Sequence, residues 1–323
     1  MSQRNKALAA LIGAMVLVGG SVAVGRELVA GLPLYFASLV RFVLASVVLV
    51  PLVLVVEGGW PRVSPRGLAI LGAQALCGSF LFTVCLLAGL TLTGAASAGV
   101  VSATTPAAVA LMGRFVFHEP QSGRVMAGLA ATVAGLAALQ AGGGAPTGPA
   151  PFWGNALVLA AVFFEAIFLL LRRVLPDPLS PLAAAMWVSL LGGILFLVPG
   201  LWQAFTLDPK ALTPAMLAAL AYYGLAVTAG AYILWFYGVV RVDAALAGVV
   251  TGVMPVAALA CAAGICGESL GWRELVGCAG VLAGIVCLAG RGTPKKAPAS
   301  ATAGDAGADS QLQEPEPLGG GGT

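Results

Sequence analysis

The chain has 323 residues, of which 59% are hydrophobic and 9% are charged, whereas a soluble domain carries about 25% charged residues. Sixteen Lys and Arg with thirteen Asp and Glu cannot cover a soluble core of this size with polar surface. These numbers exclude a soluble globular protein and predict an integral membrane protein, and the mild net charge of +3 indicates no nucleic-acid partner.

Ten apolar segments are each long enough to cross a bilayer. A hydrocarbon core about 30 Å thick requires roughly 20 apolar residues per helix, and the segments lack the alternation of barrel strands. We therefore predict an all-α integral membrane protein with ten transmembrane helices. In chain order the segments are Ala7–Val29, Leu34–Val56, Gly67–Gly89, Ala95–Phe117, Val125–Gly142, Phe152–Leu171, Leu182–Leu201, Met216–Val240, Ala244–Cys266 and Leu275–Gly290.

One stretch of sequence occurs twice. The residues Ala95–Leu136 reappear without a gap as Ala244–Ile285, and fourteen of the forty-two paired positions are identical. Matches of proline and charged residues are informative because these residues are scarce in an apolar chain. They are Pro106 with Pro255, Glu119 with Glu268, and Arg124 with Arg273.

The repeat divides the chain into two five-helix halves, residues 1–144 and 145–291. Because five is odd, the second half must enter the membrane in the opposite orientation, so we predict inverted repeats related by a two-fold axis in the membrane plane. Residues 292–323 are rich in Pro, Ala, Gly and Ser and predict a disordered cytoplasmic tail.

The distribution of Lys and Arg predicts the orientation. With a cytoplasmic N-terminus, twelve of these residues fall inside and four outside, which follows the positive-inside rule. We therefore expect a multi-pass protein of the plasma membrane with both termini in the cytoplasm.

Glu165 is the most unusual residue because it lies near the middle of an apolar segment with no charged neighbour in sequence. Burial in lipid disfavours an ionised carboxylate, and a proton-coupled carrier can use such a group. The alternative is a structural Glu that is protonated or hydrogen-bonded to a neighbouring helix, and the sequence favours neither.

The repeat also marks a candidate cavity. Ser102 precedes Pro106 by one helical turn, and Thr251 precedes Pro255 by the same spacing. A proline inside a helix removes a backbone hydrogen bond, and such breaks surround the central site of many carriers. Gln74 is a further scarce polar residue within an apolar segment. A simple kink whose backbone the hydroxyl satisfies is an equally good interpretation.

Aromatic and charged residues complete the candidates. We assign Tyr232 and Trp235 to the cavity, although aromatic packing or an interfacial belt also explains them. Arg26 and Glu27 with Arg41 are a candidate ion pair or gate, with interfacial snorkelling as the alternative. We interpret Glu119 and Glu268 as caps for the helix that follows each of them.

Neither a metal site nor a cofactor is expected. His118 is the single histidine, and the six cysteines are spread through apolar runs without the paired spacing of a zinc site.

These features resemble the EamA branch of the drug/metabolite transporter superfamily. The resemblance covers Ala7–Gly290 and implies a secondary carrier for small metabolites, often an exporter. His118 stands where the family usually has Gly. The motifs that carry the resemblance are Arg41-Phe42, the run Ala95–Pro106 leading to His118-Glu119, the run Ala244–Pro255 leading to Gly267-Glu268, and Tyr237-Gly238.

We expect a secondary transporter of small metabolites or drug-like solutes, an exporter that works by alternating access and is either proton-coupled or facilitative. Its partners are then a small apolar or zwitterionic substrate, protons and the lipid bilayer. The alternatives are a lipid flippase, a non-transporting membrane scaffold, or a membrane-embedded lipid enzyme. The enzyme is least favoured because it needs convergent His, Asp, Lys or Cys groups. The sequence indicates no particular oligomeric state.

Overall fold

The computed structural model of the protein describes residues 3–116, 118, 123–140, 148–239, 241–242 and 250–289. Glu119 and the predicted tail lie outside the described residues. Regular secondary structure in the described part is helical. In chain order the helices are α1 Gln3–Gly31, α2 Leu34–Glu57, α3 Pro65–Leu92, α4 Ala95–Ser102, α5 Thr105–Val116, α6 Gly123–Gln140, α7 Pro151–Leu171, α8 Pro181–Thr206, α9 Pro214–Val239, α10 Val253–Ile265 and α11 Trp272–Ala289.

Seven helical stretches within the described ranges are long and apolar enough to cross a membrane. They are α1, α2, α3, the Ala95–Phe115 stretch that joins α4 to most of α5, α7, α8 and α9. Helices α6, α10 and α11 occupy the other three predicted segments. The all-helical membrane fold is thus confirmed, while the number of ten spans stays a prediction.

Helices α3, α8 and α9 begin with the same local signal, a Ser or Thr followed by Pro. The hydroxyls of Ser64, Ser180 and Thr213 accept hydrogen bonds from the backbone N–H three residues on, at 3.0, 3.0 and 3.3 Å. The proline at the first helical position has no N–H that could be left unpaired. These caps therefore fix where three of the membrane helices start.

Contacts between the connections define two ends of the bundle. Asp177, between α7 and α8, accepts hydrogen bonds from the N–H and hydroxyl of Ser64, between α2 and α3, at 3.2 and 3.0 Å; we call this the Asp177 end. Gln203, near the end of α8, accepts from the N–H groups of Tyr35 and Phe36 at the start of α2, at 2.8 and 3.0 Å; we call this the Gln203 end. The α2–α3 connection and its counterpart in the second half, α8–α9, therefore lie at opposite ends.

The helix break predicted at Pro106 is present. Helix α4 ends at Ser102 and α5 begins at Thr105. In the second half, Thr251 lies in the turn directly before α10, the helix that contains Pro255. In both halves, a turn therefore precedes the proline-containing helix at nearly the same point of the repeat.

Helices α3 and α9, the third of each half, also depart from regular α-helix. Each contains a π-helical stretch, at Ala75–Leu81 and Tyr222–Ala231. Such stretches are uncommon and are frequent at functional sites. The hydrophobic pattern of the sequence does not predict them.

Helices α6 and α11 pack closely through small residues. A Cβ atom on Gly135 would lie 2.9 Å from Cα of Gly280, and one on Gly284 would lie 2.8 Å from the carbonyl oxygen of Gly128. Only glycine allows backbones to approach this closely. The last helices of the two sequence halves therefore contact each other directly.

Candidate substrate cavity

A cavity of about 730 Å³ lies inside the bundle, a volume in the range that accommodates a drug-sized ligand. Its walls come from both sequence halves. The cavity reaches Arg172 and Pro181 near the Asp177 end and extends in the other direction to Arg41 and Tyr223. Beyond this point the packed cluster that includes Leu28 and Tyr223 fills the bundle toward the Gln203 end.

The cavity brings together seven of the eight residues that the sequence predicts for the substrate site. Pro255, the eighth, is buried within α10. Five helices, α3, α4, α5, α7 and α9, and the turn directly before α10 supply the other seven residues. The seven lining residues are Gln74, Ser102, Pro106, Glu165, Tyr232, Trp235 and Thr251.

Glu165 contacts the helix break of the first half. Its Oε2 lies 2.6 Å from the Thr105 hydroxyl, which is also 2.9 Å from the carbonyl oxygen of Ser102. The residue four positions after Ser102 is Pro106, which has no N–H, so this carbonyl has lost its helical donor. The Thr105 hydroxyl replaces that donor and at the same time links the break to Glu165.

Besides the Tyr223 hydroxyl, two polar atoms of residues in the cavity wall have no hydrogen-bond partner in the described part of the chain. They are Oε1 of Gln74 and the hydroxyl of Ser102. The Gln74 amide nitrogen is fixed by the carbonyl oxygen of Phe168 at 3.0 Å, so its oxygen has a defined orientation. Buried polar atoms are normally satisfied by protein, water or ligand, and these two are therefore available to a solute or to water.

Arg41 lies in the cavity wall two turns into α2. Its Nε donates to the Thr228 hydroxyl at 2.7 Å, and one terminal nitrogen is 3.5 Å from the Thr83 hydroxyl. The guanidinium carbon is 5.0 Å from the ring centroids of both Phe42 and Tyr223. These aromatic and hydroxyl contacts fix the position of a cation inside the bundle.

A second arginine marks the cavity's limit at the Asp177 end. Arg172 follows α7 and donates to the carbonyl oxygen of Leu179 at 2.6 Å. Partial burial lowers the pKa of its guanidinium from the ordinary value. An arginine stays charged even so, so a positive charge lies where the cavity reaches the connection between α7 and α8.

The other two residues of the predicted gate lie elsewhere. Arg26, near the end of α1, forms an ion pair with Glu268 of the second half, whose side chain is only 7% exposed. Glu27 lies beside Cys266. Arg41 therefore lines the cavity, whereas Arg26 and Glu27 lie apart from it, nearer the Gln203 end of the bundle.

Glu268 caps a helix, but a different one from that expected. Its two carboxylate oxygens accept hydrogen bonds from the N–H groups of Ala95 and Ala96, at 2.8 and 3.0 Å. These residues start α4 in the first half, whereas the sequence interpretation assigned Glu268 to the helix that follows it. The interpretation was wrong because capping depends on proximity in the folded bundle, and the free N–H groups at the start of α4 come from the other half.

Several lining residues were not assigned to the cavity from the sequence. Thr105 and Thr228 were recognisable as scarce polar residues, but their contacts depend on tertiary packing. Arg41 carried a stronger signal. It shares a helix face with buried Ser38 and Ala45, which lie three residues before and four residues after it, a spacing that marks an inward face.

Comparisons with known proteins identify the family. The EamA-like transporter family matches residues 5–140 and 152–290, one match in each half. The uncharacterized transporter YetK of Bacillus subtilis (strain 168) is 35% identical over 281 residues, covering 86% of this chain and 85% of YetK. A solved crystal structure shares the fold with a TM-score of 0.61 and 18% identity, covering 86% of this chain and 95% of that one. The chain therefore belongs to the EamA-like transporter family and is a multi-pass membrane transporter.

Proposed function

We propose that the protein is a proton-coupled secondary transporter that exports small metabolites by alternating access. The observation that carries this proposal is a cavity, built by both halves, whose described lining includes the cation Arg41 inside the bundle, the cation Arg172 near the Asp177 end, and the carboxylate Glu165. Charged side chains inside a membrane protein are costly to keep and commonly serve a substrate or ion pathway.

The proposal includes ten membrane helices in two inverted halves, residues 1–144 and 145–291. The counterpart connections at opposite ends of the bundle support the inversion, and the family match in each half supports the division. With the positive-inside distribution of Lys and Arg, the Asp177 end and both termini face the cytoplasm of a plasma-membrane protein.

Alternating access requires one end of the cavity to be closed while the other is accessible. The cavity reaches Arg172 and Pro181 at the Asp177 end. At the Gln203 end, Glu268 of the second half joins Arg26 and the start of α4, both from the first half. We call these contacts the Glu268 clasp. In the proposed cycle the clasp closes the outer side while substrate enters from the cytoplasm.

The contacts of Glu165 support a role as proton carrier. The Thr105 hydroxyl has one proton and lies within hydrogen-bond distance of two acceptors, the Ser102 carbonyl oxygen and Glu165 Oε2. If Glu165 is ionised, only one of these hydrogen bonds can form. If Glu165 is protonated, it donates to Thr105 while Thr105 donates to Ser102, and both form. The protonated carboxyl therefore matches this geometry, and outward movement of the carrier would exchange its proton.

Transport by proteoliposomes tests the proposal. Purified protein is reconstituted with an internal mixture of small carboxylates, amines and amino acids, a pH gradient is imposed, and efflux is followed by mass spectrometry. We expect pH-driven efflux of a subset of the solutes. The variant Glu165→Gln should lose the pH-driven component, whereas Glu57→Gln, which changes a carboxylate at the exposed end of α2, should keep it.

Two results would contradict the proposal. Absence of solute movement by the wild-type protein would favour a flippase or scaffold, and a fluorescent-lipid scrambling assay on the same vesicles separates those two. Unchanged pH-driven efflux by Glu165→Gln would remove Glu165 as the proton carrier while leaving the transporter assignment in place.

A further inference from the structure

Arg41 is a partly buried cation inside the bundle, and its contacts are with neutral groups. In the described part of the chain these contacts are the Thr228 and Thr83 hydroxyls and the rings of Phe42 and Tyr223. No acidic side chain forms an ion pair with Arg41 among the described residues. A buried charge without an opposite charge is unfavourable, so such a group usually has a counter-ion when the protein is in its working state.

Glu165 does not serve as this counter-ion. The two residues line the same cavity, but the Glu165 carboxyl is bound to Thr105 at the helix break. The protonated form that suits this geometry carries no charge. The part of the cavity next to Arg41 then has a net positive charge that the described lining does not compensate.

The donors of Arg41 that remain unused suit a planar anion. A guanidinium has five N–H donors, and the two hydroxyl contacts occupy the Nε–H and one terminal N–H. The edge formed by the two terminal nitrogens retains donors in the fork arrangement that a carboxylate accepts. The two flanking rings hold this edge in place.

Most of the remaining cavity wall is apolar. Phe82, Phe168, Trp235, Met15 and Met254 contribute to it, and polar atoms are few. An apolar wall with one well-placed charged group favours a ligand with an apolar body and a single charged head.

We infer that Arg41 is a binding site for the carboxylate of the transported solute, which is a small organic acid or amino acid with an apolar body. This inference rests on the proposed transport function and adds the substrate class. Arg41 holds the carboxylate by two parallel hydrogen bonds, and the aromatic and methionine side chains enclose the apolar body.

Ligand binding to the detergent-purified full-length protein tests this inference without a transport assay. The probes are 3-phenylpropanoate, the uncharged 3-phenylpropanamide, and 3-phenylpropylamine, which share an apolar body and differ in the head group. Each probe is titrated while thermal unfolding is followed, because a ligand that binds the folded state raises the apparent Tm with its concentration. We expect the carboxylate to raise the Tm at concentrations at least about tenfold lower than the amide or the amine.

Variants of Arg41 locate the site. Arg41→Gln should remove the preference for the carboxylate, and Arg41→Lys should reduce it, because an ammonium keeps the charge but loses the fork. Arg66→Gln, at an exposed arginine near the start of α3, should bind all three probes as the wild type does. If Arg41→Gln does not fold, the comparison of head groups on the wild-type protein still tests the inference.

Equal binding of the carboxylate and the amide by the wild type would overturn the inference, as would an unchanged carboxylate preference in Arg41→Gln or Arg41→Lys. Either result could occur in a protein that moves solutes in proteoliposomes. Failure of the substrate class is therefore distinguishable from failure of the transport function.

Discussion

His118 and Gly267 occupy the same position of the repeat and adopt the same unusual backbone conformation. Their φ angles are 52° and 63°, in the left-handed region that glycine adopts freely and other residues adopt at a cost. His118 is the one non-glycine residue with a positive φ in the described part of the chain. The sequence shows the departure from glycine, and the backbone shows that His118 nevertheless adopts the same conformation as Gly267.

This correspondence predicts opposite effects of two substitutions on stability. His118→Gly should raise the free energy of unfolding by roughly 0.5–1 kcal/mol, since the relief of about 1–2 kcal/mol of left-handed cost exceeds the added entropy of glycine in the unfolded chain. Gly267→Ala should lower it by roughly 0.5–1 kcal/mol, because the left-handed cost is then incurred while the unfolded chain loses the extra entropy of glycine. Thermal unfolding in detergent measures both.

The matched control is Gly59→Ala, because both Gly59 and Gly267 have open space where a Cβ atom would be added, and only Gly267 has a positive φ. Equal Tm changes for Gly59→Ala and Gly267→Ala would show that backbone strain does not determine the stability of the turn.

At the scale of elements, the Glu268 clasp connects the turn between α10 and α11 with two other helices. These contacts lie near the C-terminal end of α1 and at the start of α4. A carboxylate is stabilised by the free N–H groups and partial positive charge of a helix start, and further by Arg26. Its side chain is nearly buried, so solvent screens these interactions only weakly. A contact between halves at one end of the bundle is expected to bias the equilibrium between the two access states.

Loss of the Glu268 charge should open the Gln203 end. In Glu268→Gln we expect Cys266, whose Sγ lies 3.6 Å from the carbonyl oxygen of Ala23, to react with a maleimide roughly three- to tenfold faster. This corresponds to the loss of about 1 kcal/mol of capping and ion-pair stabilisation. A Cys266→Ser variant gives the background from the other cysteines.

Glu274→Gln provides the control for this experiment. Glu274 lies nearby at the start of α11, and its carboxylate accepts from the N–H of Gly271 at 3.0 Å, but the contact is exposed and stays within one half. An equal rise in labelling for Glu274→Gln and Glu268→Gln would contradict a specific role of the clasp.

The elements differ in how far the sequence predicts them. The length of each apolar segment was sufficient to locate the helices. The break near Pro106 was predictable because proline has no backbone N–H to donate to the preceding turn of the helix. The π-helical stretches were not predictable, because they change the hydrogen-bond register without changing the apolar pattern. The cap by Glu268 and the position of Arg41 in the cavity wall both depend on which helices become neighbours, which local sequence does not specify.

At the scale of the whole molecule, the two halves share one cavity and contribute different chemistry to it. The first half supplies Arg41 and the Thr105 hydroxyl, while the second supplies Glu165 and Thr228. Each charged group is therefore positioned by a side chain of the other half. Relative movement of the halves would change the surroundings of the cation and the carboxylate together, which is a physical basis for coupling solute to proton.

The inverted arrangement itself predicts which surface exposes each repeat turn. His118 and Ser269 follow corresponding helices, and both are exposed, so single cysteines at these sites on a cysteine-free background should react from opposite faces of the membrane. With a membrane-impermeant maleimide, we expect His118→Cys to be labelled in inside-out vesicles and Ser269→Cys in right-side-out vesicles. A cysteine at Asp177 should behave as His118→Cys does, because both sites belong to the cytoplasmic side in the proposed topology. Labelling of His118→Cys and Ser269→Cys from the same face would contradict the inverted repeats, and alternating access between the two halves would then require another geometry.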